Sequence, residues 1–177
     1  ISAGLARDIS NIAYGDTPQS DTEIRNIYHV EVFDMKVQKL RIFQGMNDIE
    51  RHKKALRLAV EGSKKEAIFD LCAVFHRDYD SEFYAQYMSE LYAYAKELEI
   101  EDQVIFTIKD AQGLIGLDDL EKLDTVVTRL NKKTGEEQLV GIHTHNARGT
   151  SPSVYQKSTE YGFRHADVAP EKLATST

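Results

Sequence analysis

The run Ile142-His143-Thr144-His145-Asn146 carries the residue types best suited to chemistry. Alternate residues of a strand point to the same side, so the imidazoles of His143 and His145 can reach one cation. The segment Ile108-Lys109-Asp110 lies upstream. A lysine ammonium has donors and no acceptor, so it cannot ligate a metal. Deprotonated it can, and carbamylation by CO2 converts it to an anionic oxygen ligand. Oxygen and imidazole together suit Zn2+ or Mn2+. The plainer alternatives are a Lys109 paired with Asp110 and two structural or surface histidines. Arg7 can grip a carboxylate bidentately or simply pair with Asp8 or Asp16.

The other histidines offer less. His29 and His52 fall on helical stretches and read as helix-face or packing residues. His76 follows a strand and is placed to line its mouth. His165 lies within the last strand. Cys72 sits in an apolar strand and reads as an inert buried thiol. The chain has no Gly-x-Ser-x-Gly, phosphate-binding loop or His-Glu-x-x-His.

Strand-like and helix-like runs alternate along the chain and would position these groups. Strands are expected near Ile1–Leu5, Lys39–Phe43, Ala67–Phe75, Val104–Ile108, Gln138–Ile142 and Phe163–Val168. Between them run helical stripes. Asp21–Met35 has Ser20 or Asp21 as its cap. The stripe from Ile49 to Val60 is stopped by Gly62, and Ser81–Leu98 is capped by Ser81. Leu120–Leu130 is followed by a turn over Lys132–Gly135, and Ser153–Tyr161 is the last helix. The near-continuous apolar run Ala67–Phe75 suits a strand covered on both faces. Strict alternation of strand and helix means a parallel α/β sheet, either doubly wound or part of an eight-stranded (β/α) barrel. No Gly-x-Gly-x-x-Gly follows the first strand, which weighs against a dinucleotide site.

Bulk properties narrow the function. The 177 residues are read as one domain, residues 1–177. A net charge of −7 argues against a nucleic-acid surface. No apolar run is long enough to cross a bilayer. Cys72 is the single cysteine, which suits a reducing compartment, the cytoplasm or the mitochondrial matrix. The opening Ile1-Ser2-Ala3-Gly4 lacks signal-peptide character and an initiator Met, so a fragment or processed product is expected.

Taken in order, these landmarks resemble the carboxyl-transferase domain of the pyruvate carboxylase, oxaloacetate decarboxylase and transcarboxylase family, a group of metal-dependent lyase-type TIM barrels. Leu5-Ala6-Arg7 with Tyr14 is similar to the family's "LLRG…GY". Arg41-Ile42-Phe43 with Asn47-Asp48 resembles "RIFDSLND", and Asp70-Leu71-Cys72 resembles "TLCYT". Lys109-Asp110 with Gly113-Leu114 resembles "IKDMAGLL", and residues 141–149 resemble "HTHDTSG". Asp167-Val168-Ala169 and Thr175-Ser176-Thr177 are similar to the last barrel strand and its "TSQ" loop.

The resemblance implies a parallel (β/α) barrel of TIM type, incomplete, with about six of eight units in this chain. It implies a carbamylated Lys109 ligating a divalent metal (Zn or Mn) with His143 and His145, and an Arg7 that binds the carboxylate of a small 2-oxo acid. Thr177 would shuttle a proton between substrate methyl and biotin. The activity implied is biotin-dependent carboxyl transfer to or from pyruvate or oxaloacetate through a metal-stabilised enolate. Biotin would come on a separate carrier domain or subunit, since no Met-Lys-Met is present, and an oligomer is expected.

The departures bear on competence. The strands carrying the family's aspartate ligand and a substrate-contacting glutamine lie outside the resemblance. The Asp after "RIF" is Gln44, Met-Ala is Ala111-Gln112, and Asp-Thr-Ser is Asn146-Ala147-Arg148. Two alternatives follow. One is a Claisen-condensing enzyme or aldolase of the same superfamily, whose His-x-His-Asn resembles His143-x-His145-Asn146. The other is a catalytically incomplete remnant acting as an assembly or regulatory module.

Overall fold

Among the described residues, six strands form one sheet whose spatial order equals their chain order, with every neighbouring pair parallel. They are β1 (Ser2–Leu5), β2 (Lys39–Phe43), β3 (Ile68–Val74), β4 (Val104–Asp110), β5 (Val140–Thr144) and β6 (His165–Ala166). The coordinates are a computed structural model that describes residues 2–5, 19–147 and 149–168. A doubly wound sheet would reverse its strand order near the middle. Consecutive order without reversal is the winding of a (β/α) barrel, so the fold is an α/β barrel of TIM type with six of its strands among the described residues.

The helices between strands are α1 (Asp21–His29), α2 (Ile49–Ser63), α3 (Ser81–Glu97), α4 (Leu117–Glu121), α5 (Val126–Thr134) and α6 (Ser151–Ser158). Their apolar stripes cover one face of the sheet. Leu40, Ile42, Phe69, Leu71, Phe106, Ile108, Val140 and Ile142 pack there with Leu56, Tyr84, Met88, Leu91 and Leu130 in one continuous core. Several of these are fully buried, and truncating such a residue to Ala costs about 2–5 kcal/mol. His52 of α2 lies in this layer, fully buried, with Nδ1 2.8 Å from the hydroxyl of Tyr87 on α3.

Several boundaries differ from the sequence reading, each for a local reason. Ser20 does cap α1: its Oγ accepts from the Glu23 amide while Glu23 Oε2 accepts from the Ser20 amide at 2.7 Å. The helical stripe to Met35 continues past His29 as a π-helical turn, Val30–Asp34. Gly62 does not end α2. It lies inside the helix, where a Cβ would stand 2.5 Å from the Arg25 carbonyl oxygen on α1. Lys64, in the left-handed conformation at φ 52°, makes the stop. The cap of α3 is Asp80, whose Oδ1 accepts from the Phe83 amide at 3.0 Å, and Ser81 is the first helical residue. The stripe over 120–130 breaks into α4 and α5. The expected turn over Lys132–Gly135 is mostly the end of α5, closed by Gly135 at φ 77°. β4 extends through Lys109 and Asp110, and β5 through His143 and Thr144. The last strand contracts to two residues.

Candidate functional site

The parallel register sorts the strand residues by face. Leu40, Ile42, Leu71 and Ile108 face the helices. The alternate positions form the opposite, concave face: Arg41 beside Asp70, then Phe43, Cys72, Thr107, Gly141 and His165 in one row, then Val74, Lys109 and His143 in the next. This face gathers charged and hydrogen-bonding groups, where the other is mainly apolar. A seam of charged and hydrogen-bonding groups runs from β2 to the end of β6.

At the C-terminal strand ends, Lys109 and His143 are register partners, and Lys109 Nζ lies 3.3 Å from His143 Nε2. The amine also stands 5.1 Å from the Phe43 ring centroid. Burial is the main influence that lowers its proton affinity below that of an ordinary lysine. Asp110, on the other face, is engaged elsewhere: its carboxylate accepts from the Ile115 amide at 2.8 Å and from Thr144 Oγ1 at 2.8 Å. A Lys109–Asp110 pair is therefore not formed. His145 is exposed beyond the strand, its ring centroid 5.1 Å from that of His143 and tilted by 69°. Partial burial, then the neighbouring His143 and Lys109, hold its imidazole below the usual pKa.

The other nitrogen of His143, Nδ1, lies 2.8 Å from Asp167 Oδ2. Asp167 is gripped in turn by Arg41, whose Nη1 bonds Oδ2 and whose Nη2 reaches Oδ1 at 3.1 Å. Burial opposes its ionisation, but the His143 and Arg41 hydrogen bonds outweigh that and hold the Asp167 carboxyl below the usual range. Arg41 also donates from Nε to Asp70 Oδ2 at 2.7 Å, and Asp70 Oδ1 accepts from Thr107 Oγ1 at 2.7 Å. Thr107 Oγ1 lies 3.0 Å from His165 Nε2. The threonine proton is committed to Asp70, so His165 must donate from Nε2. Gly141 makes room for that ring, since a Cβ there would lie 2.0 Å from His165 Nε2. From α6, the Tyr155 hydroxyl donates to the Asp167 carbonyl at 2.8 Å and accepts from the Thr144 amide at 3.2 Å, tying the two strand ends together.

Of the residues singled out from sequence, Lys109, His143 and His145 are thus brought to one strand mouth. Arg7 and Thr177 lie outside the described residues, as do Tyr14, Arg148 and the closing Thr175-Ser176. Cys72 is fully buried, and burial raises its thiol pKa well above the ordinary value. His76 is an exposed loop residue whose Nδ1 sits 3.6 Å from Asp78 Oδ2. Gln44 is buried and braces its own loop, accepting the Met46 and Asp48 amides at 2.8 and 2.7 Å. Among the described residues, no three His, Cys, Asp or Glu side chains converge as a ready-made metal cage. Three donors fit a cation at this mouth only if Lys109 supplies one of them. The fit is supported by Nδ1 of His143 being spent on a carboxylate, which leaves Nε2 as a lone-pair donor.

Arg41, Asp70, Thr107 and Asp167 were not read as site residues from the sequence. Their signal is the alternation inside the strands: Leu-Arg-Ile, Phe-Asp-Leu and Phe-Thr-Ile-Lys keep polar groups at one parity.

No protein-family model matches the chain, and no curated protein sequence matches it. Solved structures do resemble it. The carboxyl transferase domain of Rhizobium etli pyruvate carboxylase with 3-bromopyruvate aligns with a TM-score of 0.72 and 18% identity, covering 97% of this chain and 27% of that one. The same domain with pyruvate and biocytin gives 0.69 and 19%, with the same coverages. With pyruvate alone it gives 0.65 and 20%, again covering 97% and 27%. Likeness at this identity shows the fold, an incomplete (β/α) barrel. The chain spans about a quarter of the length of the proteins it resembles, 27% of each. Among the described residues, no helix is long and apolar enough to cross a membrane.

Proposed function

We propose that this chain is part of a biotin-dependent carboxyl transferase acting on a small 2-oxo acid such as pyruvate or oxaloacetate. The single observation that carries the reading is the pairing at the strand mouth. Lys109 and His143 face each other at 3.3 Å from adjacent strand ends, with the far nitrogen of His143 held by Asp167. The solved domains that share the fold, with pyruvate or with pyruvate and biocytin, support the substrate class. The resemblance in sequence order supports the family.

Lys109, as its carbamate, His143 and His145 would hold a divalent cation. Bound there, Zn2+ or Mn2+ would polarise a keto oxygen, and biotin on another domain or subunit would deliver or accept the carboxyl group. The chain's own residues supply the rest. Burial keeps the Lys109 amine closer to its neutral form, the form that adds CO2. The Asp167 carboxylate orients His143. Arg7 would hold the substrate carboxylate, and the Thr177 hydroxyl would carry a proton between the substrate methyl and biotin.

The test is oxaloacetate decarboxylation by the purified protein carrying this chain, with free biotin and Zn2+ or Mn2+, following pyruvate by a coupled reduction. A biotin-dependent rate that His143→Ala abolishes supports the reading. A rate no greater than that of metal alone overturns it and leaves the assembly-module and Claisen-type alternatives.

A further inference from the structure

We propose that Arg41 is a positioning residue for His143: working through Asp167, it fixes the imidazole proton on Nδ1 and leaves the Nε2 lone pair facing Lys109. The use made of that lone pair rests on the proposed function, but the positioning itself does not.

The geometry builds this from across the concave face of the sheet. Asp167 follows a two-residue strand at the sheet edge, and its side chain is 26% exposed. A carboxylate so placed has little packing of its own to hold it. Arg41 supplies the hold, reaching both of its oxygens with both terminal nitrogens, so the planar fork sets the carboxylate plane. Arg41 cannot swing away, because Asp70 takes its Nε at 2.7 Å. Asp70 is itself fully buried and locked by Thr107.

The carboxylate so held is an acceptor only. The His143 nitrogen 2.8 Å from Asp167 Oδ2 must therefore be the donor. In the neutral imidazole the other nitrogen, 3.3 Å from Lys109 Nζ, then carries the lone pair and accepts from the amine. Without Arg41 the carboxylate is free to rotate, the proton can pass to Nε2, and the nitrogen needed at the mouth is blocked. A purely structural Arg41, tying β2 to the end of β6, would leave the tautomer untouched.

Nitrogen–proton correlation NMR of the His143 ring, in the full chain without metal or substrate, reads the tautomer directly. Wild type is expected to hold the proton on Nδ1. Arg41→Lys keeps the charge but not the fork, and should give a mixed tautomer with Zn2+ binding about 10- to 100-fold weaker. Asp167→Ala leaves the Arg41–Asp70 pair in place and removes the acceptor at Nδ1, so the proton should no longer be confined to that nitrogen. If Arg41→Lys folds and keeps both the Nδ1 tautomer and wild-type Zn2+ affinity, the proposal falls. If it does not fold, Asp167→Ala decides alone, and a proton still confined to Nδ1 overturns the idea. A shifted tautomer in a protein that transfers no carboxyl group sustains Arg41 and sinks only the transfer reading. An unshifted one in an active protein does the reverse.

Discussion

Arg41 on β2 is hydrogen-bonded to Asp167, just past β6, although β3, β4 and β5 lie between them in the sheet. Strands lie about 4.8 Å apart, so in a flat sheet these residues would be separated by about 19 Å, beyond the joint reach of two side chains. The contact requires the sheet to curl, and it closes across the hollow. Arg41 is 6% exposed and also pairs with Asp70, which is fully buried. Arg41→Met should therefore leave uncompensated buried charge and cost about 3–5 kcal/mol, read as a lowered urea midpoint. A change under about 1 kcal/mol would mean that the pairs do not persist in solution.

His52 should make the protein acid-sensitive. Burial pushes its pKa down to about 4, below the ordinary value of 6.5. In the window between those values the unfolded chain binds the proton and the folded one does not, so stability falls as pH drops from about 6.5 toward 4. The full loss is on the order of 3 kcal/mol. Urea unfolding across that range should show the slope. His52→Asn should flatten it, and an unchanged slope in that variant would move the cause elsewhere.

Gly141 has no room for a methyl group, because the His165 ring occupies the space. Gly141→Ala should displace that ring, break its bond to Thr107 and cost about 1–3 kcal/mol. Thermal unfolding gives the cost, and the His165 ring shifts in NMR report the displacement. A variant as stable as wild type would place the ring elsewhere.

Lys109 should show a dependence on CO2. Zn2+ or Mn2+ loading of the protein is expected to rise with added bicarbonate and to fall in degassed, CO2-free buffer, with about one ion bound at saturation as the proposed donor set requires. Lys109→Arg cannot form the carbamate and should load poorly under both conditions. Equal loading with and without bicarbonate would remove the lysine from the donor set.

The alternation of strands and helices was legible because buried parallel strands are apolar and short while the helices carry long stripes. Lys39–Phe43 is a strand with the bounds read from its sequence. Helix ends were harder. Gly62 resembles a stop, yet tertiary contact with Arg25 claims it, and Lys64 takes the left-handed turn. The pair Lys109 and His143 could be named from the His-x-His spacing at a strand end and from the resemblance of Lys109-Asp110 to a family motif. Their supports could not. Asp70 looks like one interruption in an apolar run, and nothing local ties Asp167 to Arg41. That link exists only once the sheet has curved. The order of strands was likewise silent in the sequence, since both windings need the same alternation.

Cys72 lies fully buried on the hollow side of the sheet and is the one thiol of the chain. A thiol reagent can reach it only when the interior comes apart, and burial also suppresses the reactive thiolate. Its labelling rate is therefore a built-in clock for breathing of the hollow. Ligands that settle at the strand mouth would slow that clock, and the slowing would measure their occupancy without any assay of turnover.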